Sequence, residues 1–381
     1  MLKQKNKTWI EISRNALIQN VRIFRRILGK KSYLMAVVKS NAYGHGAKEV
    51  VPIFLKAGAD WFGVDSIDEA LQIKELAKNA PILILGFTPN NRLEEVVKNG
   101  FRLTVYNDQT VESLGKIVKR LNTPVYLHIK CETGTSRQGV TLDKLVPFAK
   151  KITENKNLIL EGLSTHFANI EDTTDSSYAK RQLVQFKRMY GALQNVGIKV
   201  SIRHTACTAA AMIYKETHFN MARVGIGLYG LWSSKETKKT VQKFGKKINL
   251  LPSLTWKSCI AQIKEIPLGT PVSYGLTEET KRNSKIAVLP IGYWDGLDRG
   301  LSSIGEVLIN GKRAKIMGRI CMNICMVDVT HIKGIHVEDE VVIIGKSGSS
   351  VISAEEIAEK LGTINYEIVT RINPTIPRII I

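Results

Sequence analysis

The stretch that decides the fold is VVKSNAYGHG, residues Val37–Gly46. An apolar run, Leu34–Val38, ends at Lys39, and a loop with two glycines follows. Barrels of parallel strands carry their catalytic groups at the carboxyl ends of the strands. A lysine there can form a Schiff base with a carbonyl group, although by position alone a surface lysine that caps a strand is the more ordinary interpretation.

Outward from this stretch, short apolar runs alternate with helical patterns. The predicted strands are Leu34–Val38, Trp61–Val64, Pro81–Leu85, Leu103–Tyr106, Val125–Ile129, Leu160–Ser164 and Val200–Arg203, and the clearest helices are Ala47–Ala57, Ile67–Lys78 and Leu93–Lys98. Strands separated by helical segments indicate right-handed βαβ units and a parallel sheet. Eight such units, one more than the seven strands named, fit a closed (β/α)₈ barrel. A doubly wound sheet is not favoured, because no Gly-rich fingerprint follows the first strand.

The pattern changes after Trp232. The segment Ser233–Lys247 is polar and Lys-rich, which is typical of a linker or a surface helix. Runs typical of strands follow at Leu254–Ile263, Ile286–Ile291, Gly305–Ile309, Ala314–Met317, Met326–Val329 and Glu340–Ile344, with a hairpin turn at Asn310-Gly311. We therefore expect a barrel over residues 8–235 and a mostly antiparallel β domain over residues 236–381.

Composition restricts the class of protein. The 381 residues are 44% apolar and 23% charged, as in folded globular proteins. No apolar stretch is long enough to span a membrane, and the polar amino terminus lacks the core of a secretory signal, so we expect a cytoplasmic protein without a membrane partner. Five scattered cysteines suit a reducing compartment. Cys321 and Cys325 have no second Cys/His pair nearby, so no metal site is expected.

The net charge of +21 raises the alternative of a nucleic-acid-binding protein. The basic residues form short clusters without interleaved aromatic residues, and no recognised nucleic-acid-binding motif accompanies them. A solvated basic surface is the favoured interpretation, and no nucleic-acid partner is expected. Strongly salt-dependent binding to duplex DNA would support the alternative.

Lys39 within VVKSNAYGHG resembles the cofactor-binding motif of alanine racemases, and the similarity extends over about residues 7–378. Matching segments occur in the family's order and spacing at 165–168, 223–226, 229–230, 272–275, 291–293, 318–322 and 365–368. The resemblance implies a barrel followed by a β domain that Thr8–Ile12 join. It also implies pyridoxal 5′-phosphate as the cofactor and a homodimer.

The resemblance implies a cofactor site made of Lys39, Tyr43, His166, Thr208, Arg223, Gly225, Ile226 and Tyr366. Lys39 would carry the cofactor, and Arg223 would face the pyridine nitrogen. Arginine donates hydrogen bonds but does not readily give up a proton, so the ring stays a weaker electron sink and proton return to Cα is favoured over transamination. His166 and His204 match residues that orient this arginine and a catalytic tyrosine. Taken singly, these residues also suit ordinary structural roles.

Racemisation removes a proton from one face of Cα and returns one to the other, so two bases are expected. The resemblance implies Lys39 on the D side and Tyr274 on the L side. A phenol has a pKa near 10 and needs nearby positive charge to act as its anion, which the family supplies through His166 and Arg223. In the family the tyrosine comes from the partner subunit, so two composite active sites are implied.

The resemblance also implies a substrate site made of Arg137, Met322 and Tyr293, with Lys130, His204, Cys321 and Asn323 behind it. Lys130 matches a lysine that is often carbamylated in the family. Glu132 and Asn323 stand where the family commonly has aspartate, and Cys207 stands where it has asparagine. The changes at Asn323 and Cys207 favour a relaxed choice of substrate.

These observations predict a pyridoxal-phosphate-dependent racemase that interconverts L- and D-alanine by two bases and supplies D-alanine for peptidoglycan. A racemase of broader specificity, acting on serine or on other small or basic amino acids, is the alternative. Two other cofactor-dependent classes agree less well. A single-domain cofactor carrier lacks the β domain, and a basic-amino-acid decarboxylase needs a Cys-Asp pair that Cys321-Met322-Asn323 does not supply. Substrate breadth and carbamylation of Lys130 are left open.

Overall fold

A computed structural model describes residues 6–245 and 248–381 of the chain. They form two compact units. The β unit contains residues 6–14, 43–49 and 253–381, and the barrel unit contains Asn15–Ala42 and Val50–Pro252. The first strand, β1 (Thr8–Ile12), lies in the β unit. Lys246 and Lys247, at the end of the predicted polar segment, lie outside the described residues.

Within the described residues, eight parallel strands form the sheet of the barrel unit. They are β2 (Tyr33–Val37), β3 (Trp61–Val64), β4 (Ile82–Ile84), β5 (Arg102–Val105), β6 (Val125–Lys130), β7 (Leu158–Ser164), β8 (Ile202–His204) and β9 (Met221–Val224). Their order is β8-β7-β6-β5-β4-β3-β2-β9. Strand β9 has no counterpart among the predicted strands, because Arg223 interrupts its short apolar run.

Strands β8 and β9 stand at the two ends of this order, and hydrogen bonds link them. Arg203 N donates to Asn220 Oδ1 at 2.7 Å, and Arg223 N donates to Ala206 O at 2.9 Å. The sheet is thereby nearly closed into a barrel. A core cluster fills its interior with apolar side chains, none more than 6% exposed: Met35, Trp61, Leu83, Ile202 and Met221.

Helices precede, connect and follow the barrel strands. They are α1 (Arg14–Leu28), α2 (Lys39–Tyr43), α3 (Ala47–Ala57), α4 (Ile67–Ala77), α5 (Leu93–Lys98), α6 (Asp108–Leu121), α7 (Leu142–Thr153), α8 (Ser177–Asn195), α9 (Thr208–Ile213) and α10 (Lys235–Lys243). Helix α6 shows why they form. The Asn107 side chain caps its start, Asn122 ends it in a left-handed conformation, and Val111, Leu114 and Val118 recur at helical spacing on the buried face.

The β unit is built on a mostly antiparallel sheet. Its further strands are β10 (Leu254–Cys259), β11 (Gln262–Ile266), β12 (Ser284–Leu289), β13 (Glu306–Ile309), β14 (Lys312–Met317), β15 (Cys325–Asp328), β16 (Glu340–Ser347), β17 (Ser350–Ile352) and β18 (Arg378–Ile380). The order is β11-β12-β15-β14-β13-β16-β10-β1-β18, with β17 beside β16. The predicted fold class, an α/β barrel followed by a mostly antiparallel β domain, is confirmed.

Two local predictions had different outcomes. Asn310 and Gly311 join β13 to β14 with φ values of 48° and 76°, the left-handed pair that a two-residue hairpin turn requires, so the predicted hairpin is confirmed. The predicted strand Leu254–Ile263 is two strands. Its strand-like pattern continues without a turn signal while the chain changes partner: β10 pairs with β16, and β11 pairs with β12. The β unit also contains α11 (Ala354–Leu361) and α12 (Asn365–Thr370), which were not among the predicted elements.

The polar segment after Trp232 contains helix α10, which Ser234 caps by accepting a hydrogen bond from Thr237 N. Across residues 6–245 and 248–381, no helix combines the length and apolar character needed to cross a membrane. The same residues include no cluster of three or more His, Cys, Asp or Glu side chains suited to a metal ion.

Candidate active site

Lys39 begins an unusual turn, the short element α2, whose backbone is left-handed. Strand β2 ends at Val37, and after Lys39 four residues without a glycine have φ between 52° and 54°, from Ser40 to Tyr43. A left-handed conformation costs an L-residue about 1–2 kcal/mol, so such a run persists only where its surroundings hold it. Ala42 N donates to Val38 O at 2.9 Å within the turn.

The Lys39 ammonium is accessible. Its Nζ lies 3.3 Å from Asp65 Oδ1, and the lysine side chain is 41% exposed. Asp65 directly follows β3, the neighbour of β2 in the sheet. The lysine therefore lies at the carboxyl end of the barrel strands, the position that its place after an apolar run predicted.

Gly44 ends the left-handed run, and this position requires a glycine for two reasons. Its φ is +79°, and a Cβ atom there would lie 1.9 Å from Val369 O. In the same unit the rings of Tyr43 and Tyr366 stand 6.1 Å apart. Both Tyr366 and Val369 belong to α12, so this helix packs directly on the segment that carries Tyr43.

Arg223 lies on β9 and is 6% exposed. Its Nη1 donates to His204 Nδ1 at 2.8 Å and to His204 O at 2.6 Å. Its Nη2 donates to Thr165 O at 2.7 Å and to Thr205 O at 3.2 Å, and reaches His166 Nδ1 at 3.4 Å. Within the described part of the chain, the remaining donor, Nε–H, has no hydrogen-bond partner. The bonds to Nη1 and Nη2 hold the guanidinium in place, so its Nε–H can donate to a group from outside the chain.

A polar chain continues from Arg223 into the barrel. His204 Nε2 lies 2.8 Å from His128 Nδ1, and His128 Nε2 lies 3.1 Å from Glu161 Oε2. Gly162 makes room for it, because a Cβ atom there would lie 2.1 Å from His128 Nδ1. The sequence analysis did not identify His128 and Glu161, because nothing in two strand patterns indicates that a histidine in one faces a glutamate in the other.

Burial and positive charge keep these histidines neutral. Burial lowers the pKa of His128, although Glu161 opposes the shift. The pKa of His204 is well below its usual value because of burial and the charge of Arg223. Burial and the charges of Lys130, Arg223, Arg137 and Lys39 likewise hold the pKa of His166 well below its usual range. Burial also lowers the pKa of Arg223, to about 10, so its guanidinium stays charged at neutral pH.

Lys130 ends β6 and lies near other cations. Burial, followed by the charges of Arg223 and Arg137, lowers the pKa of its amine well below the usual value. Among the described residues, neither Lys130 Nζ nor the exposed Arg137 guanidinium has a hydrogen-bond or ion-pair partner. Glu132, which stands in the family's aspartate position, does not pair with either cation. Its carboxylate accepts hydrogen bonds from the N–H groups of Gly134 at 2.5 Å and Thr135 at 2.7 Å.

Three of the predicted phosphate residues meet at one place in the barrel unit. Thr208 Oγ1 accepts a hydrogen bond from Gly225 N at 3.2 Å. Ile226 starts a 3₁₀ turn, so its N–H has no acceptor within that turn. The thiol of the adjoining Cys207 stays protonated at neutral pH, because burial and the charge of Glu171 raise its pKa to about 12.

A second group of predicted residues lines an open cleft of about 850 Å³ in the β unit. Tyr274 and Met322 are its most exposed predicted members, at 72% and 56%. Ser273, before the tyrosine, has a φ of 68°, and its hydroxyl donates to Arg319 O at 2.5 Å. The cleft also contains Tyr293, Cys321, Asn323, Arg299 and Arg319.

The predicted site residues thus fall into two groups. The barrel unit contains Lys39, Lys130, Arg137, His166, His204, Thr208, Arg223, Gly225 and Ile226, and the β unit contains Tyr43, Tyr274, Tyr293, Cys321, Met322, Asn323 and Tyr366. Sequence reasoning did not single out Arg299 or Arg319 for the cleft. Arg319 lies in the quoted segment Gly318–Met322, so its position beside Cys321 was the available signal.

Comparison with known proteins gives consistent matches over the chain. The family model described as alanine racemase, N-terminal domain, matches residues 12–233, and that of the C-terminal domain matches residues 253–380. The alanine racemase of Methanococcus maripaludis is 43% identical over 97% of this chain and 98% of its own length.

Solved structures agree with these matches. The crystal structure of alanine racemase from Bacillus anthracis with bound L-Ala-P has a TM-score of 0.93 and 35% identity, covering 99% of this chain and 96% of that one. A histidine racemase from Leuconostoc mesenteroides has a TM-score of 0.89 and 25% identity, covering 99% and 98%.

Proposed function

Because this chain belongs to the alanine racemase family of isomerases, we propose that it interconverts L- and D-alanine with pyridoxal 5′-phosphate. The observation that carries the proposal is the set of contacts around Arg223. Neutral acceptors bind its terminal nitrogens, and Nε–H remains for the cofactor's pyridine nitrogen. An arginine in that place suits a racemase, because it does not protonate the ring.

The residues fit the cofactor. When bound, pyridoxal phosphate withdraws electrons from the substrate Cα and so acidifies its C–H bond. Lys39, with its exposed amine, would hold the aldehyde carbon. Thr208 and the N–H groups of Gly225 and Ile226 would bind the phosphate, as backbone N–H groups and hydroxyls do in barrel enzymes. Tyr43 and Tyr366 are the further phosphate donors that the family resemblance implies.

Two bases would then move the proton. Lys39 would serve the D face of Cα, and Tyr274 of the partner subunit the L face. His166 would stay neutral, and because its Nδ1 accepts from Arg223, its proton would lie on Nε2. That Nε2–H would donate to the phenolate of Tyr274, which the cations Lys39 and Arg223 would also stabilise.

The substrate carboxylate would be held by Arg137 and by Met322 N–H, with Tyr293 at the mouth of the site. The lowered pKa of Lys130 supports its carbamylation, since only the neutral amine reacts with carbon dioxide. The carbamate would be an anion beside Arg137 and would relieve the repulsion between the two cations. Cys321 and Asn323 would lie next to the substrate.

The homodimer with shared sites, the cytoplasmic location and the supply of D-alanine for peptidoglycan are parts of the proposal that follow from the family resemblance. A homodimer agrees with the exposure of Tyr274, because a catalytic base 72% exposed on its own unit needs a second surface to exclude water.

A racemase of broader specificity is the second candidate. The cleft around Met322 contains two arginines and no carboxylate, because Asn323 replaces the family's aspartate. The histidine racemase of Leuconostoc mesenteroides shares the fold, which indicates that this architecture accepts a larger side chain.

The test is incubation of the purified protein and pyridoxal phosphate with L-alanine, L-serine, L-lysine and L-histidine, followed by chiral chromatography. We expect D-alanine to form fastest. The variant Lys39→Ala should no longer attach the cofactor covalently. Its rate of racemisation should fall at least about 100-fold, the usual contribution of a positioned base. Borohydride reduction and peptide mapping that placed the cofactor on another lysine would contradict the assignment.

A further inference from the structure

The carboxylate of Glu69 binds two backbone N–H groups on different loops. Its Oε1 accepts from Ser40 N at 2.6 Å, and its Oε2 accepts from Asp65 N at 2.7 Å. Ser40 directly follows Lys39, and the Asp65 carboxylate pairs with the Lys39 ammonium at 3.3 Å. One side chain therefore joins the turn of Lys39 to the loop that holds the ion-pair partner of that lysine.

Helix α4 by itself does not explain this arrangement. Glu69 is the third residue of α4, and the hydroxyl of the capping residue Ser66 accepts from Glu69 N at 3.3 Å. In a capping box the glutamate side chain would return to the N–H of the capping residue. Here both carboxylate oxygens bind other N–H groups instead.

The turn of Lys39 needs an outside support. Ser40, Asn41 and Ala42 all have φ near 54°, a conformation that non-glycine residues adopt only when contacts hold them there. The bond from Ala42 N to Val38 O closes the turn from within. The bond from Ser40 N to Glu69 fixes its first residue from outside, and an ionised acceptor makes such a bond stronger than a neutral one does.

We propose that Glu69 is a positioning residue: by holding Ser40 in the left-handed conformation, it directs the amine of Lys39 toward the substrate Cα. This inference rests on the proposed function, in which Lys39 serves the D face. It predicts that loss of the carboxylate impairs proton transfer on that face more than on the face served by Tyr274.

The variant Glu69→Gln tests the proposal. A glutamine keeps the size of the side chain but has one oxygen, so its NH₂ group would oppose one of the two N–H donors. Glu75→Gln is the matched control, because Glu75 is an exposed glutamate on the same helix. Glu69→Asp keeps the charge with a shorter reach, and it replaces Glu69→Gln if that variant does not fold by circular dichroism.

Two measurements on the full-length protein decide the question. Hydrogen exchange of the amides of residues 40 and 65 should be at least about 10-fold faster in Glu69→Gln than in the wild type, because each amide loses its acceptor or keeps only a weaker one. In the holoenzyme, kcat should fall about 10- to 100-fold, the usual effect of removing a partner that orients a functional group, while KM changes little. The primary deuterium isotope effect should rise for Cα-deuterated D-alanine and not for L-alanine.

The proposal is overturned if Glu69→Gln behaves like Glu75→Gln in both measurements, or if the isotope effects for the two enantiomers change equally. A failure of the proposed function can be distinguished from a failure of this proposal for Glu69. If the wild-type protein does not racemise alanine, the proposed function is wrong, and the exchange of residues 40 and 65 then decides by itself whether Glu69 holds the turn.

Discussion

The charge of Arg223 is held in the barrel by neutral groups. Its hydrogen-bond acceptors are the carbonyls of Thr165, His204 and Thr205 and the ring nitrogens of His166 and His204. A buried guanidinium normally pairs with a carboxylate, which would cancel its field. Neutral acceptors satisfy the hydrogen bonds of its two terminal nitrogens and leave the positive charge in place. In the proposed function, that charge would disfavour protonation of the cofactor's pyridine nitrogen.

The variant Arg223→Glu tests this interpretation. A carboxyl group can share a proton with the pyridine nitrogen and strengthen the electron sink, so we expect racemisation to fall about 100-fold or more while pyruvate from transamination accumulates. The measurement is the ratio of pyruvate to D-alanine formed from L-alanine. Arg22→Glu, on the exposed face of α1, is the control and should leave the ratio unchanged. An unchanged ratio in Arg223→Glu that still binds cofactor would contradict the interpretation.

Strands β6, β7, β8 and β9 together carry the buried chain Glu161, His128, His204 and Arg223. A histidine whose folded pKa lies below its unfolded value of about 6.5 stays neutral in the native state while the unfolded chain takes up a proton. Its contribution to stability is therefore complete above pH 6.5 and is lost as the pH falls toward the folded pKa. The shifts of His128, His166 and His204 all have this sign.

The free energy of unfolding should accordingly fall as the pH is lowered from 6.5 to 5. One histidine contributes at most about 1.4 kcal/mol per pH unit to this slope, so the three together contribute no more than about 4 kcal/mol per pH unit. Urea denaturation at several pH values measures it. His128→Asn should make the slope smaller, because it removes one of the three groups that take up a proton on unfolding. The exposed His336→Asn is the control, and a slope equal in both variants would refute the prediction.

The packing of α12 on the segment after Tyr43 gives a prediction about Gly44. Gly44→Ala forces a Cβ atom to within 1.9 Å of Val369 O, at a φ of +79°. Gly100→Ala is the matched control, with a φ of +67° and open space around it. We expect the control to lose about 1 kcal/mol of stability from conformation alone, and Gly44→Ala to lose a further 1–3 kcal/mol or so from the clash. Denaturant unfolding measures both, and equal losses would show that the close approach is relieved without cost.

For the whole molecule, the proposed homodimer predicts that two inactive variants complement each other. If each site takes Lys39 from one chain and Tyr274 from the other, a mixed dimer of Lys39→Ala and Tyr274→Ala has one intact site and one doubly damaged site. Random exchange of subunits makes about half of the dimers mixed, so activity should recover to about a quarter of that of the wild type. Exchange demonstrated by differently tagged chains, without recovery of activity, would mean that both residues act from the same chain.

The sequence predicted the order of the elements well, because hydrophobic period and turn residues are local properties. Apolar runs of four to six residues between helical patterns correspond to barrel strands such as Trp61–Val64 and Val125–Lys130. Asn310-Gly311 predicted its hairpin for the same reason, since a left-handed pair of residues favours Asn and Gly. The positions of the candidate residues came from motifs, which depend on the residue types themselves.

The conformation of the Lys39 turn and the charge states around Arg223 could be decided only by the tertiary structure. The run Ser40–Tyr43 contains no glycine, and Asn41 is its only residue of a type that favours the left-handed conformation, so the sequence does not indicate four such residues in a row. The outside support of the run comes from Glu69, 29 residues from Ser40. Arg223 takes a carbonyl partner 58 residues away, at Thr165. Strain, hydrogen-bond satisfaction and pKa depend on distances between groups that only the folded chain brings together, whereas the period of a strand or helix is already present in the order of its residues.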